Sequence, residues 1–477
     1  MAIETWLPAL LGYLIPVGLF LLAWGGMEPA RARRSAAVGA SALALAALGY
    51  LAVGFAFHLG GAGLVSDQPG LEGLNHIFAG EGDLAWGLIG LEGFFLAGEA
   101  DTSEALALFV TYLPLAAAAV LLPVLSLHGR ARGWQVAIGG LVVAAVLFPL
   151  AACWAWGGGW LSNLGLKSSL ERGHGFVDHS GSVVVYLLGG MAALGALVGF
   201  GQRLLPGEPG EPAEMPPVHF PLLANLGALL FGLGWLGWAL SVPFHAAGAE
   251  LSLPRIAVNG LLAGAGAILA VQIYCWITVG HADALMSARG AAAGFVAISA
   301  GAPFVPPWAA LVIGAVAGLL LPLGVYVVER VLHFPDGTAA VPLGIIGGLW
   351  GALAVAIFAD GRWGQGWNRI GFEEYHTVPG MGVTGFLPAG PFVGDGPGQL
   401  IAQLAGIGGI GLLAFLIGWL VFLVLNAPYC PRKERKPKLE EVEVAGEVEL
   451  AEEAEVTEAA AEPAPEEPEA ASEPEVA

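Results

Sequence analysis

The stretch Asp178-His-Ser-Gly-Ser-Val-Val-Val-Tyr-Leu-Leu-Gly-Gly190 decides the fold, because a stretch in the other half of the chain repeats its spacing. Gly189-Gly190 follows Asp178 by eleven residues, and Gly347-Gly348 follows Asp336 at the same distance. Two apolar helices from opposite halves that share a spacing indicate an internal repeat. In membrane transporters the solute path lies between such repeats. The repeat therefore predicts a protein that conducts a solute.

The composition is that of a membrane protein. The chain is 56% hydrophobic and only 12% charged, with 73 glycines and 15 tryptophans, and a soluble domain carries roughly twice that charged fraction. Runs of about 20 apolar residues match the hydrocarbon core of a bilayer. We therefore predict an all-α polytopic membrane protein with eleven transmembrane helices. They span residues 4–26, 36–59, 104–127, 134–156, 180–202, 219–241, 254–279, 287–302, 305–329, 339–359 and 399–427.

The basic residues predict the orientation in the membrane, because loops on the cytoplasmic side carry an excess of Lys and Arg. With the N-terminus outside, thirteen basic residues fall in the inner loops and tail and only five fall in the outer loops. We therefore predict a multi-pass protein of the cell membrane with the N-terminus outside and the C-terminus in the cytoplasm.

One outer loop, residues 60–103, contains no Lys or Arg and seven acidic residues, Asp67 among them. An anionic vestibule raises the local concentration of a cation. The alternative is that outer loops are simply poor in basic residues, and the sequence leaves both interpretations open.

The chain divides into residues 1–430, a membrane domain, and residues 431–477, a tail. Residues 439–477 hold 15 glutamates and account for most of the net charge of −21. This Glu-, Ala- and Pro-rich segment is predicted to be disordered and is a candidate to recruit a regulatory partner. The basic segment before it, residues 432–438, is predicted to lie at the anionic inner leaflet.

Enzymatic and metal-dependent functions find no support in the sequence. Cys153, Cys275 and Cys430 lack the paired spacing of a metal site or a disulfide framework. No nucleophile–base pair or phosphate-binding loop is recognisable. We predict no enzyme activity, no metal, no cofactor and no nucleic-acid partner.

Several segments together resemble the ammonium transporter, methylammonium permease and Rhesus protein family, over most of residues 5–427. No single string is decisive, but their order and spacing are specific. The matching strings are Gly12-Tyr-Leu-Ile-Pro-Val-Gly-Leu-Phe-Leu-Leu-Ala-Trp-Gly-Gly26, Trp156-Gly-Gly-Gly-Trp-Leu161, Asp178 to Tyr186, Gly201-Gln-Arg203, Gly234-Trp-Leu-Gly-Trp238, Asn259, Gly290 to Val305, Gly348-Leu-Trp-Gly-Ala-Leu353 and Ile357-Phe-Ala359.

The resemblance implies the ammonium-transporter fold: two inverted repeats of five helices plus a final long helix, assembled as a homotrimer with one pore per subunit in the lipid bilayer. The implied solute is ammonium, ammonia or a similar small molecule. The family's outer cation site would include Trp156 and Asp178, with Trp238 at the aromatic gate. Each has an alternative, because Asp also caps helices and Trp also belongs to interfacial belts. Asp336 is interpreted in the same way as Asp178, as a cap at the inner side.

The chain departs from the family where its pore usually holds two hydrogen-bonded histidines. Aligning Gly189 with Gly347 pairs Tyr186 with Gly344 at those two positions. A phenol donates and accepts hydrogen bonds but is a poor proton acceptor at neutral pH. We expect Tyr186, opposite the vacant Gly344, to line or plug the path, and a double histidine substitution to restore uptake. Ordinary packing of Tyr186 is the alternative.

Further departures weaken the implied cation site. The family's serine ligand falls near Val242, with Ser241 adjacent to it. The second gating Phe falls near Leu115, with Phe109 and Tyr112 a turn or more away. Two functions therefore stay open. The chain is a channel for ammonium, ammonia or a related small solute, or it is a non-conducting family member that acts as a sensor or scaffold through its acidic tail.

Overall fold

The computed structural model describes residues 8–78, 86–128, 130–201, 219–334 and 336–426. The predicted tail at residues 431–477, its basic segment and Cys430 lie outside the described residues, as does the boundary at residue 430.

The described part of the chain is mostly helical, which confirms the predicted all-α class. Among the described residues, nine helices are long and apolar enough to cross a membrane, and two shorter apolar helices, α1 and α8, accompany them. The helices are α1 (Pro8–Trp24), α2 (Pro29–Leu64), α3 (Ser103–Ser126), α4 (Gly133–Ala155), α5 (Ser182–Phe200), α6 (His219–Ala239), α7 (Leu253–Val279), α8 (Ala284–Ile298), α9 (Pro307–Val331), α10 (Ala340–Phe358) and α11 (Gly396–Asn426). Eleven crossings remain a prediction, because α1 and α8 fall below that length.

Two short hairpins lie in the long loops. Strand β1 (Ile77–Phe78) pairs antiparallel with β2 (Ile89–Gly90), and β3 (Glu374–Tyr375) pairs antiparallel with β4 (Val378–Pro379). Both hairpins belong to the face of the helix bundle that carries the longest described loops, which we call the loop-rich face.

The second helix begins earlier than the hydropathy pattern predicts. It starts at Pro29 rather than at residue 36, so Arg31, Arg33 and Arg34 lie in its first turns instead of in a loop. Pro29 suits the first helical position because a proline there gives up no helical hydrogen bond. Arg31 forms an ion pair with Glu28 at 3.0 Å.

The four glycines of the repeated motif pack in two matching pairs. Gly189 of α5 faces α3, and a methyl group there would lie 2.8 Å from the carbonyl oxygen of Ala119. Gly347 of α10 faces α8, with 2.6 Å to the side chain of Val296. The third helix of each half therefore packs on the fifth helix of the same half through equivalent glycines.

The second glycine of each pair brings the two halves together. Gly190 of α5 faces α10, where an added methyl group would lie 2.9 Å from the backbone nitrogen of Ile345. Gly348 of α10 faces α5, 2.5 Å from the carbonyl oxygen of Ser182. Small residues allow such backbone contact between membrane helices. These reciprocal contacts are those of the inverted-repeat fold.

Candidate functional site

A cavity of about 620 Å³ opens on the loop-rich face. Its wall includes exposed Asp67 from the loop after α2, Arg369 from the loop after α10, and two aromatic rings, those of Trp156 and His245. Trp156 and His245 lie at its inner end, where they join a buried aromatic cluster. We call this cavity the vestibule.

Asp178 caps α5. Its carboxylate is buried and accepts four backbone N–H groups, from Gly181 and Ser182 through Oδ1 and from Val183 and Val184 through Oδ2, at 2.7 to 3.0 Å. Burial raises the pKa of Asp178 to about 6, although the four amides act in the opposite direction. Both carboxylate oxygens therefore serve to cap the start of α5.

Trp156 is tied to this cap through the backbone. Its indole nitrogen donates to the carbonyl oxygen of Asp178 at 2.7 Å, which fixes the plane of the ring at the inner end of the vestibule. Asp178 therefore contributes to the site in two ways. Its carbonyl oxygen holds the Trp156 ring in place, and its carboxylate places a negative charge nearby.

Four rings form the aromatic cluster: Trp156, Trp238, His245 and Tyr112. Trp156 and Trp238 have centroids 6.3 Å apart, and Tyr112 lies 5.8 Å from Trp156 and 6.0 Å from Trp238. Trp238 donates its indole N–H to the carbonyl oxygen of Thr111 at 2.8 Å. This bond turns Trp238 towards α3 and keeps its ring beside the vestibule.

His245 covers one face of Trp156. The two rings are nearly parallel, with an interplanar angle of 7° and centroids 4.8 Å apart. His245 comes from a short turn, Phe244–Ala246, between α6 and α7. The aromatic face that the family resemblance assigns to a cation is therefore occupied by an imidazole of the protein.

Both nitrogens of His245 have partners, which defines its protonation. Nε2 lies 3.0 Å from the carbonyl oxygen of His179, and since a carbonyl only accepts, Nε2 carries the proton. Nδ1 lies 2.9 Å from the hydroxyl of Tyr112 and accepts from it. Burial, reinforced by the nearby His179, holds the pKa of His245 well below its ordinary value, so the ring is neutral.

A second imidazole–phenol pair lies next to this one. His58, buried near the end of α2, has Nδ1 2.9 Å from the hydroxyl of Tyr50, and its ring lies edge-on to Tyr112 at 4.8 Å. Nε2 of His58 and Nε2 of His179 are both buried and find no partner among the described residues.

Tyr186 lies deeper, within α5. Its side chain is fully buried and packs on Phe231 of α6 at a centroid distance of 5.9 Å. Its hydroxyl has no hydrogen-bond partner in the described part of the chain. A buried hydroxyl without a partner costs roughly 1–3 kcal/mol, so a solute or water molecule is expected at this oxygen.

Gly344 lies directly against the backbone of Tyr186, so no open space separates α5 from α10 at this point. A side chain at Gly344 would overlap the carbonyl oxygen of Tyr186 and lie 3.0 Å from Cα of Gly190. The expectation of a vacancy opposite Tyr186 is therefore wrong, because the missing side chain is replaced by the backbone of α5. For the same reason a histidine at position 344 requires a shift of the helices.

The other named residues have structural partners. Asp336 caps α10 by accepting from the backbone nitrogen of Val341 at 3.0 Å. Asn259 donates to the carbonyl oxygens of Ala302 and Val305 at 2.8 Å. Ser241 donates to the carbonyl oxygen of Trp238, so it offers its hydroxyl to the end of α6.

Sequence reasoning did not predict that His245 and Tyr112 join the two tryptophans in the aromatic cluster, or that His58 packs against Tyr112. His245, Tyr112 and His58 come from three segments far apart in the chain, and nothing in their local sequence indicates that they meet. His58 lies near the end of α2 and His245 in the turn after α6, but Tyr112 lies in the middle of α3, so helix position gives no common signal. Among the described residues, no group of three or more His, Cys, Asp or Glu side chains is arranged to hold a metal.

Paired five-helix halves, a final long helix and a vestibule that leads to a buried aromatic cluster define a polytopic membrane channel or transporter. The model of the Ammonium Transporter Family matches residues 6–443. The chain belongs to this family, and it is a transport protein, not an enzyme.

Relatives and solved structures agree with this assignment. Ammonium transporter Amt2 of Archaeoglobus fulgidus is 34% identical over 351 residues, which cover 73% of this chain and 71% of that protein. Ammonium transporter 1 member 1 of Arabidopsis thaliana is 32% identical over 290 residues, covering 58% of this chain and 55% of that protein.

Among solved structures, the fold is similar to Sensor Amt Protein, with a TM-score of 0.68 and 23% identity over 88% of this chain and 92% of that one. It is also similar to Mep2 of Saccharomyces cerevisiae, with a TM-score of 0.64 and 20% identity over 89% of this chain and 88% of that one. These likenesses show the ammonium-transporter fold.

Proposed function

We propose that the protein conducts ammonium, as ammonia, or a related small solute from the vestibule past Tyr186 and along the seam between the two repeats. The observation that carries this proposal is the buried Tyr186 hydroxyl, which has no partner among the described residues. It lies on α5 beside the crossing of α5 with α10, where transporters built from inverted repeats hold their solute.

The chemistry at Tyr186 favours a neutral solute. A charged species in an apolar span is costly without a paired group. A phenol, whose ordinary pKa near 10 keeps it protonated at neutral pH, is in no state to accept a further proton. Ammonia both donates and accepts hydrogen bonds, so it can satisfy the hydroxyl. The relay of two histidines is replaced, in this proposal, by Tyr186 and Gly344.

Recruitment of the cation belongs to the vestibule. Its wall carries the negative charge of Asp67 together with the positive charge of Arg369. Trp156 and Trp238 are rings of the kind that attract a cation where water is excluded, and His245 covers one face of Trp156 in this structure. We further propose the orientation with the N-terminus outside in the plasma membrane, because the basic residues favour it, and a homotrimer as in the family.

Uptake of labelled methylammonium into proteoliposomes tests the role of Tyr186. We expect Tyr186→Phe to fold normally, since it removes only an unpartnered hydroxyl, and to change the uptake rate by about three- to ten-fold, as loss of one hydrogen bond does. Tyr274→Phe, at an exposed tyrosine of α7, is the matched control. Uptake identical in wild type and Tyr186→Phe would remove Tyr186 from the path.

A non-conducting sensor is the second candidate, and one observation favours it: His245 covers Trp156 and Tyr186 fills the span below, so the described structure is closed. Under this alternative, solute binding in the vestibule would be retained, while uptake would equal that of protein-free liposomes.

A further inference from the structure

His245 lies over the face of Trp156, a position that would otherwise suit a cation. An aromatic face attracts ammonium groups when the cation lies over the ring. The imidazole of His245 lies over Trp156 at 4.8 Å and nearly parallel to it. Since the ring is neutral and its two nitrogens are bonded, it covers the face of Trp156 without charge.

The backbone that delivers His245 is strained. Val242, three residues before it, has a φ of +49°, a left-handed conformation that is rare for a β-branched residue. Strain of this kind costs roughly 1–3 kcal/mol and persists only where the surrounding structure imposes it. The packing around Val242 therefore holds the backbone just before His245 in this conformation.

One side of the His245 ring borders open space. The rings of Trp156, Tyr112, Trp238 and Trp367 pack against it. His245 also forms part of the vestibule wall, together with Ala247 and Gly248. The vestibule volume of about 620 Å³ exceeds what a single imidazole needs. A rotation of the side chain towards the vestibule breaks two hydrogen bonds, to Tyr112 and to His179.

We propose that His245 is the residue that determines which solutes are admitted: it is the resting occupant of the outer cation position, and a solute must displace it from Trp156. A small alkylammonium or ammonium ion regains stabilisation from the Trp156 face, whereas a neutral solute does not. The displacement therefore selects cations at the vestibule and lowers their apparent affinity, since the binding-competent state is a fraction of the population. This inference rests on the proposed function.

The test compares wild type with His245→Ala and His245→Phe. Uptake of labelled methylammonium into proteoliposomes gives KM and the maximal rate, and calorimetric titration with methylammonium chloride in detergent gives a binding constant that does not depend on conduction. We expect His245→Ala to lower KM and Kd by about ten-fold, because the competing ring is gone. His245→Phe keeps the stacked ring but loses both hydrogen bonds, so its values are expected between those of wild type and His245→Ala.

His281→Ala, at an exposed histidine between α7 and α8, controls for general effects of histidine loss, and thermal unfolding checks that each variant is folded. Unchanged Kd in folded His245→Ala would overturn the proposal, and so would weaker binding, since His245 would then be a ligand. Tighter binding in His245→Ala without uptake in any variant would support the gate and count against conduction.

Discussion

At the residue scale, Asp178 shows how a carboxylate at the start of a helix satisfies the free backbone N–H groups there. Four amide donors converge on it, and Asp336 serves α10 in the same way with fewer described backbone amides. The two aspartates could be found from the sequence because an N-cap needs a short acceptor just before an apolar run. Whether each aspartate caps a helix or binds a solute could not be decided from the sequence, because that depends on the geometry around the carboxylate.

Replacing Asp178 with Asn is expected to destabilise the fold. An amide group presents two donors where the carboxylate accepts from Val183 and Val184 or from Gly181 and Ser182, so two charge-assisted hydrogen bonds are lost and donors face donors. We expect a loss of about 3 kcal/mol in the free energy of unfolding, measured by denaturant or thermal unfolding in detergent. An unfolding midpoint equal to that of wild type would contradict the capping role.

The charge of Asp178 also predicts a pH dependence. With a pKa of about 6, the carboxylate is ionised at pH 7.5 and becomes protonated as the pH falls below 6. Loss of this negative charge near Trp156 weakens attraction for a cation. We therefore expect KM for the methylammonium cation to rise by about three- to ten-fold between pH 7.5 and pH 5, as measured by uptake. A flat KM over this range would show that Asp178 keeps its charge state.

Three aromatic residues illustrate what stayed hidden at this scale. Trp156 and Trp238 each belong to a contiguous sequence motif, so both residues could be named from the sequence. His245 meets Trp156 only because the loop after α6 folds back over the vestibule, and loop paths are set by tertiary packing. No spacing rule could have indicated that contact.

At the scale of the helices, hydropathy predicted the described helices well because a bilayer demands long apolar runs. The start of α2 was missed because Arg31, Arg33 and Arg34 lower the hydropathy of its first turns although they are helical. Irregular turns were also unpredictable. Four of the described helices contain a wide π turn, at Tyr50–Gly54, Val143–Leu147, Ser182–Leu187 and Val327–Val331.

The crossing of α5 and α10 makes a sharp prediction for Gly344. Replacing it with His introduces a side chain that overlaps the carbonyl oxygen of Tyr186. Overpacking of such a contact costs roughly 1–3 kcal/mol, or more when backbone must move. We expect Gly344→His to lower the unfolding midpoint and the yield of folded protein, alone or combined with Tyr186→His.

Gly408→Ala provides the control for this experiment. Gly408 is exposed on α11, and an added methyl group meets nothing within 4 Å among the described residues. Alanine is the better helix former, so its unfolding midpoint should equal or exceed that of wild type. If Gly344→His proved as stable as Gly408→Ala, the close approach of α5 and α10 would be refuted.

At the scale of the whole molecule, the matching glycine contacts explain why the repeat was visible in the sequence. Backbone contact at Gly190 and Gly348 allows little other than glycine, so the spacing is kept in both halves. The identity of the solute is harder to predict from the sequence, because it depends on a few side chains whose positions are set by the fold. Repeat spacing together with the family resemblance predicts Tyr186 and Gly344 at the paired positions, but neither indicated that Gly344 would contact the backbone of Tyr186.

The most direct measurement of conduction is the change of internal pH in proteoliposomes after rapid mixing with an ammonium gradient. Passage of ammonia alkalinises the lumen, and we predict a rate clearly above that of protein-free liposomes of the same lipid, with Tyr186→Phe altering it and Tyr274→Phe leaving it unchanged. A wild-type rate equal to that of protein-free liposomes, with folded protein present in the membrane, would contradict the proposal that the seam between the repeats conducts.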